Sequence, residues 1–275
     1  MNEYRPGKFQ YLPMVIKNLM IINGLVWLVQ ITLLSKFDYD LSRLFALHYW
    51  GSELFKPHQF ITHLFLHDPK NITHVLFNMF TLWMFGATLE NLWGPKRFLV
   101  FYLICGLGAA LCHMGVLTYE NLSLNRYAAQ FLNDPSFSNF VLLDNKFDIG
   151  NLANFDMASL KNALAARDPA AIEMASLYVK NYVSYYRNGA TLGASGAVYG
   201  ILFAFGYLFP NRYLYFFAMI PIRAKFVVGF MILGELYSGI QNSAGDNVAH
   251  FAHLGGALFA YLLLRNWSKK RTDFY

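Results

Sequence analysis

Of the 275 residues, 56% are hydrophobic, 18% aromatic and only 14% charged, against roughly 25% charged in a soluble domain. That balance excludes a pair of ordinary soluble domains and points to one integral membrane domain. The formal charge of +6 does not indicate nucleic acid, because lysines and arginines stand in short clusters beside apolar segments rather than along one face.

Segments of about 20 apolar residues are long enough to cross a bilayer, and six candidates occur in chain order. Residues 1–13 form a short basic N-terminus with Arg5 and Lys8, and the first span runs from Met14 to Leu34. No small-x-small cleavage site follows it, so it reads as an uncleaved span rather than a signal peptide. The second span covers Thr73 to Leu92 and the third Phe98 to Leu117, joined by the tight turn Gly94-Pro95-Lys96-Arg97. Cys105 and Cys112 on the third span stand about 10 Å apart along a helix axis, too far for a disulfide.

A long polar connection, residues 118–192, separates the third span from the fourth. Asn133-Asp134-Pro135 and Asp144-Asn145 mark its first part as irregular loop. Asp156 and Asp168-Pro169 are start signals for two short helices, on which Tyr178, Tyr182 and Tyr185 recur at helical spacing. Tyrosine favours a membrane boundary, so these helices are expected to lie on the membrane surface with the tyrosines toward headgroups or the bundle.

The fourth span, Gly193 to Phe209, stops at Pro210-Asn211-Arg212, and Tyr213 to Ile222 is too short to cross, which makes it an interfacial or re-entrant connection. The fifth span runs from Phe226 to Ile240 and the sixth from Val248 to Leu264, before a basic tail at 265–275. Positive residues near span ends stay cytoplasmic. Lys96 and Arg97, Arg212 to Lys225 and the tail all fall on one side, which places both termini in the cytoplasm. Spans 1–3 thus occupy 14–117 and spans 4–6 occupy 193–264.

Ionisable and polar groups inside hydrocarbon face a bundle interior or a wet cavity and are functional by default. Ser195 opens the fourth span and His253 lies near the start of the sixth, at similar depth from the same face. A hydroxyl beside an imidazole is the minimum for an activated nucleophile. Small residues at four-residue spacing, Gly196 and Gly200 on one span, Gly256 and Ala260 on the other, permit close helix contact there. On the second span His74 and Asn78 share a helix face and supply donors for an oxyanion, with the Ser195 backbone N–H as a third. Glu90 belongs to the far end of that span, pairing with a basic residue or with backbone. His63, His67 and His250 raise a metal reading, set aside because no carboxylate or cysteine completes the set; no metal or cofactor is expected.

His74-x-x-x-Asn78, Gly193-x-Ser195-Gly196 and Ala252-His253-x-x-Gly256, in this order on these spans, resemble the rhomboid intramembrane serine proteases in their six-span bacterial form. The likeness covers about Phe55 to Leu264. It implies an all-α membrane protein, a six-helix rhomboid-like bundle with an extramembrane helical insert between spans 3 and 4. It further implies a Ser195/His253 catalytic dyad, an oxyanion site at His74 and Asn78, and Tyr199 packed on the histidine to orient it. Gly193 belongs with Gly196, Gly200, Gly256 and Ala260 among the helix-packing residues, and Glu90 matches a glutamate with a structural role. Implied substrates are single- or multi-span membrane proteins, cut near the non-cytoplasmic face of a bacterial plasma membrane after small residues. Nucleic acid has no part. Two features depart from the family: the first connection has His58-Gln59 where many rhomboids have Trp-Arg, and the 118–192 connection is long. An inactive rhomboid relative that binds membrane clients would ordinarily lack the serine or the histidine, and both are present. A transporter would show inverted repeats or paired broken helices, which this sequence does not.

Overall fold

A computed structural model describes residues 9–216, 220–241 and 249–269. The basic N-terminus through Lys8, the connection through Val248 and the tail beyond Lys269 lie outside the described residues.

Helix α1, Met14–Phe37, begins after Pro13 and ends where Asp38 turns left-handed at φ 49°. Its first free N–H groups are answered from another helix: both Glu90 carboxylate oxygens accept, from Val15 and Ile16, at 2.9 Å. A carboxylate at a helix N-terminus satisfies orphan donors and meets the positive end of the dipole. Glu90 therefore pairs with backbone rather than with a basic residue. The connection that follows holds α2 (Ser42–Phe45), β1 (Leu47–His48) and α3 (Gln59–Thr62), then a 3-10 turn at His63–Phe65. Gln59 organises it from a fully buried position. Its Oε1 accepts from His48 and Lys56, and its Nε2 donates to the Leu44 and Leu54 carbonyls. The Gln30 amide clips the connection to α1 through both backbone groups of His67.

Asn71 caps α4, Ile72–Trp93, and Gly94 at φ 79° makes the turn into α5, whose first residue is Pro95. Helix α5 runs from Pro95 to Asn133, 39 residues, or about 58 Å. The helix thus continues past Leu117, where the sequence places the end of the third span. Asn121, Leu124, Ala128 and Phe131 are all buried, and their three- and four-residue spacing keeps one face covered past the polar residues that suggested a loop. Helix α6, Phe137–Phe147, likewise takes in Asp144 and Asn145. Asp156 and Asp168 cap α7 (Met157–Ala165) and α8 (Pro169–Arg187) as the sequence predicts.

These helices and the end of α5 share a core of their own, built on Phe131, Phe140, Leu143, Ile149, Leu160 and Val179. An ion pair of 2.5 Å between Lys161 and Asp144 braces it. Two of the three tyrosines turn inward, against expectation. Tyr182 donates to Phe147 O at 3.0 Å, a carbonyl left without an intrahelical partner at the end of α6, and Tyr178 donates to Ile149 O in the 3-10 turn that follows. Tyr185 is 66% exposed.

Strand β2, Ala190–Thr191, pairs antiparallel with β1, Leu47 opposite Thr191 and His48 opposite Ala190, and so fixes the approach to α9, Ser195–Leu208. The connection beyond α9 is a hairpin of β3 (Tyr213–Phe216) and β4 (Ile220–Arg223), with Tyr213 opposite Arg223. These two strand pairs are additions to an otherwise helical molecule. Helices α10, Ala224–Gln241, and α11, His250–Lys269, complete the described chain.

Helix α11 packs against α5 and α9 over a core that includes Leu82, Phe98, Phe101, Tyr102 and Ile201. Helix α10 is peripheral, with only Ala224 and Val228 buried. Among the described residues α1, α4 and α5 are long and apolar enough to cross a membrane, and α9 is apolar but shorter. Outward leucines and aromatics on these helices, Leu25, Leu76, Phe77 and Phe80 among them, need an apolar solvent.

Candidate active site

Ser195 is the first residue of α9, where backbone N–H groups have no intrahelical acceptor. The turn before it is shaped by Gly193, at φ 121°, whose N–H donates to His63 O at 3.0 Å. A Cβ there would stand 3.0 Å from His74 Cε1 and Nε2. Gly193 therefore does not pack α9 on α11, as the sequence suggested; it lies outside the helix and permits the close approach of His74. The other small residues do bring the helices together. A Cβ on Gly256 would fall 1.9 Å from Gly196 O, and one on Gly200 would meet Cys105 at 2.7 Å and Gly256 O at 3.1 Å. Ala260 is fully buried in the same core. Cys105 and Cys112 are both free.

That contact delivers His253 from α11. Its Nε2 lies 2.8 Å from Ser195 Oγ. One turn along α9, the Tyr199 ring lies parallel to the imidazole, centroids 4.2 Å apart and planes 5° apart, so the imidazole cannot tip toward α9. The Tyr199 hydroxyl donates to Glu235 on α10. The other carboxylate oxygen of Glu235 accepts from His250 Nδ1 at 2.6 Å and lies 2.9 Å from His253 Nδ1, off the line of an aligned hydrogen bond.

Across the site His74 and Asn78 project from α4 into the same cavity as Ser195 and His253, a space of about 840 Å³. The Asp68 N–H donates to His74 Nδ1 at 3.4 Å. This contact selects the tautomer in which Nε2, the nitrogen nearest Gly193, carries the proton. Asn78 is buried and donates one amide hydrogen to His74 O at 2.8 Å, leaving a second donor on the same nitrogen. His113 also lines the cavity, held by the Thr191 hydroxyl at 2.8 Å. In the first connection, burial lowers His63 to about 4. Burial, with His74 nearby, lowers His67 to about 3.

The structure thus gathers Ser195, His253, Tyr199, His74 and Asn78 around one cavity. It also adds Glu235, which the sequence reading passed over, and corrects the statement that no carboxylate completes the histidine group. Among the described residues, Glu235, His250 and His253 bring three ligand atoms within 4.8 Å of one another. The missed signal was a single acidic residue inside a candidate span, which is costly in hydrocarbon unless it has a purpose.

The family model of the rhomboid domain matches residues 54–125 and 157–269. Its gap falls on the end of α5 and on α6. The chain is 25% identical over 217 residues to RHOMBOID-like protein 12, mitochondrial, of Arabidopsis thaliana, an alignment covering 79% of this chain and 48% of that protein. This chain therefore spans about half the length of that curated relative. No solved structure matches it.

Proposed function

The chain belongs to the rhomboid family, and on that premise we propose that it is an intramembrane serine endopeptidase that cleaves transmembrane segments of other membrane proteins. The observation that carries this reading is the 2.8 Å contact of Ser195 Oγ with His253 Nε2 inside a cavity of about 840 Å³. His253 Nε2 takes the Ser195 proton, and Oγ attacks a peptide carbonyl. The developing oxyanion is met by the Ser195 N–H at the start of α9, by His74 Nε2–H and by the free Asn78 amide hydrogen, donors fixed before the reaction begins. The proton on His253 passes to the leaving amine, and water then resolves the acyl-enzyme with the same histidine as base. No metal or cofactor enters the sequence of steps.

In this reading α1, α4, α5, α9, α10 and α11 are six spans, in domains at 14–117 and 193–264, and residues 118–192 are an insert outside the membrane. The core that α6 to α8 share with the end of α5 supports the insert, and the gap in the family match supports it over residues 126–156. Lysine and arginine at 96–97 and 265–275 put both ends on the positive side, the cytoplasm in a bacterial plasma membrane. Ser195 then sits near the opposite face. A substrate helix hides its carbonyls in internal hydrogen bonds, so segments that unwind readily, with glycine or proline near the scissile bond, are the expected substrates. Incubating purified protein with such a transmembrane substrate tests the reading. Cleavage supports a protease, and an intact substrate with stable binding would identify a client-binding relative instead.

A further inference from the structure

Glu235 is the one acidic side chain on α10. That helix contributes little to the core, yet its carboxylate is only 11% exposed and meets three partners. The Tyr199 hydroxyl holds one oxygen, and His250 Nδ1 at 2.6 Å and His253 Nδ1 at 2.9 Å share the other. An ionised carboxylate only accepts hydrogen bonds. For His253 to serve Ser195, Nε2 must hold a lone pair, so the ring proton must sit on Nδ1, the nitrogen facing Glu235.

We infer that Glu235 is a positioning residue that holds His253 in the Nδ1–H tautomer and stabilises the imidazolium formed on attack, so that a Ser-His-Glu set operates in place of a bare dyad. The inference rests on the serine-protease reading. During attack the Ser195 proton moves to Nε2, the Oγ electron pair forms the bond to carbon, Nδ1 keeps its proton and Glu235 stays ionised. The 2.9 Å contact is off-line in the free protein, as apo catalytic contacts often are before they tighten around substrate. Tyr199 serves the histidine twice, through its ring face and through the carboxylate that its hydroxyl holds. A cation between the same side chains fits less well. Ligands around zinc at bonds of 2.0–2.1 Å stand about 3.3 Å apart, whereas this carboxylate oxygen already touches both nitrogens at 2.6 and 2.9 Å.

The test uses the full chain in detergent, with kcat and KM on a transmembrane substrate and the rate of fluorophosphonate labelling of Ser195. Soluble triads lose about 10⁴ in kcat when the orienting acid becomes its amide, and Glu235→Gln is expected to lose at least about 10²-fold with KM nearly unchanged. Glu235→Asp should recover part of that loss. Nitrogen-15 spectra of histidine in the wild-type protein at pH 8 give a readout that needs no variant: His253 should carry its proton on Nδ1. Wild-type rates in Glu235→Gln, or a His253 proton on Nε2, overturn the inference while leaving the protease reading standing. A wild-type protein that neither cleaves nor labels removes both. Tight equimolar zinc binding by calorimetry, lost in Glu235→Gln and in His250→Ala, would make the cluster a cation site and overturn it as well.

Discussion

Ser195, His253, His74 and Asn78 were each legible in the sequence because hydrocarbon makes a polar side chain expensive, and the flanking glycines said which faces meet. Gly256 shows how far that logic holds: its missing Cβ is what lets α11 reach within touch of Gly196 O. Glu235 was not legible in the same way. Its meaning depends on which way a weakly packed helix turns, and no spacing within α10 links it to His253. The roles across the cavity separate by kinetics. Asn78→Ala removes a donor that acts mainly on the transition state, worth about 3–4 kcal/mol in a soluble protease, so kcat should fall far more than KM rises. A loss of thermal stability with unchanged turnover would instead make Asn78 a bracket for its helix.

Helix starts were readable at the capping residues Asp156 and Asp168 but not at Ser136, which caps α6 in a stretch that reads as loop, and a helix end was readable at Gly94. The extension of α5 was not. Its buried positions Leu124, Ala128 and Phe131 repeat at helical spacing, but the polar residues between them and the Asn133-Asp134-Pro135 signal masked that stripe, whose partners lie in α6 to α8. The hairpin after α9 was foreseen only as a connection too short to span. In the first connection, His63 and His67 are held neutral by burial, at about 4 and about 3, below the roughly 6.5 of an unfolded histidine. Between those values the unfolded chain binds more protons, so stability rises with pH and is lost as pH falls from about 6.5 toward 3. Thermal unfolding in detergent should therefore drop steeply across that window, and His67→Phe should flatten the drop. An equal slope in the variant would assign the acid sensitivity elsewhere.

At the scale of the whole molecule, membrane character follows from composition, while the proposed six crossings rest on apolar runs in the sequence and their orientation on charge placement; helix length alone does not supply them, since α9 has 14 residues, or about 21 Å, short of a hydrocarbon core of about 30 Å. Cysteines introduced at Lys96, Arg265 and Ser138 test the arrangement. Impermeant reagents should reach the first two from the cytoplasmic side and Ser138, an exposed position on α6, only from the other. Ser138 and Arg265 labelled from one side would break the six-span arrangement and with it the shared depth of Ser195 and His253. The core of α6 to α8 is built on the end of α5, so this cluster is joined to the bundle through one continuous helix.

The central claim, that Ser195 is a nucleophile activated by His253 within the bilayer, is tested most directly by fluorophosphonate labelling of the purified protein followed by peptide mapping. One label per chain is expected, on the peptide bearing Ser195, absent in Ser195→Ala and reduced to background in His253→Ala while both variants keep the wild-type unfolding temperature. A label on another residue, or undiminished labelling in His253→Ala, would contradict it.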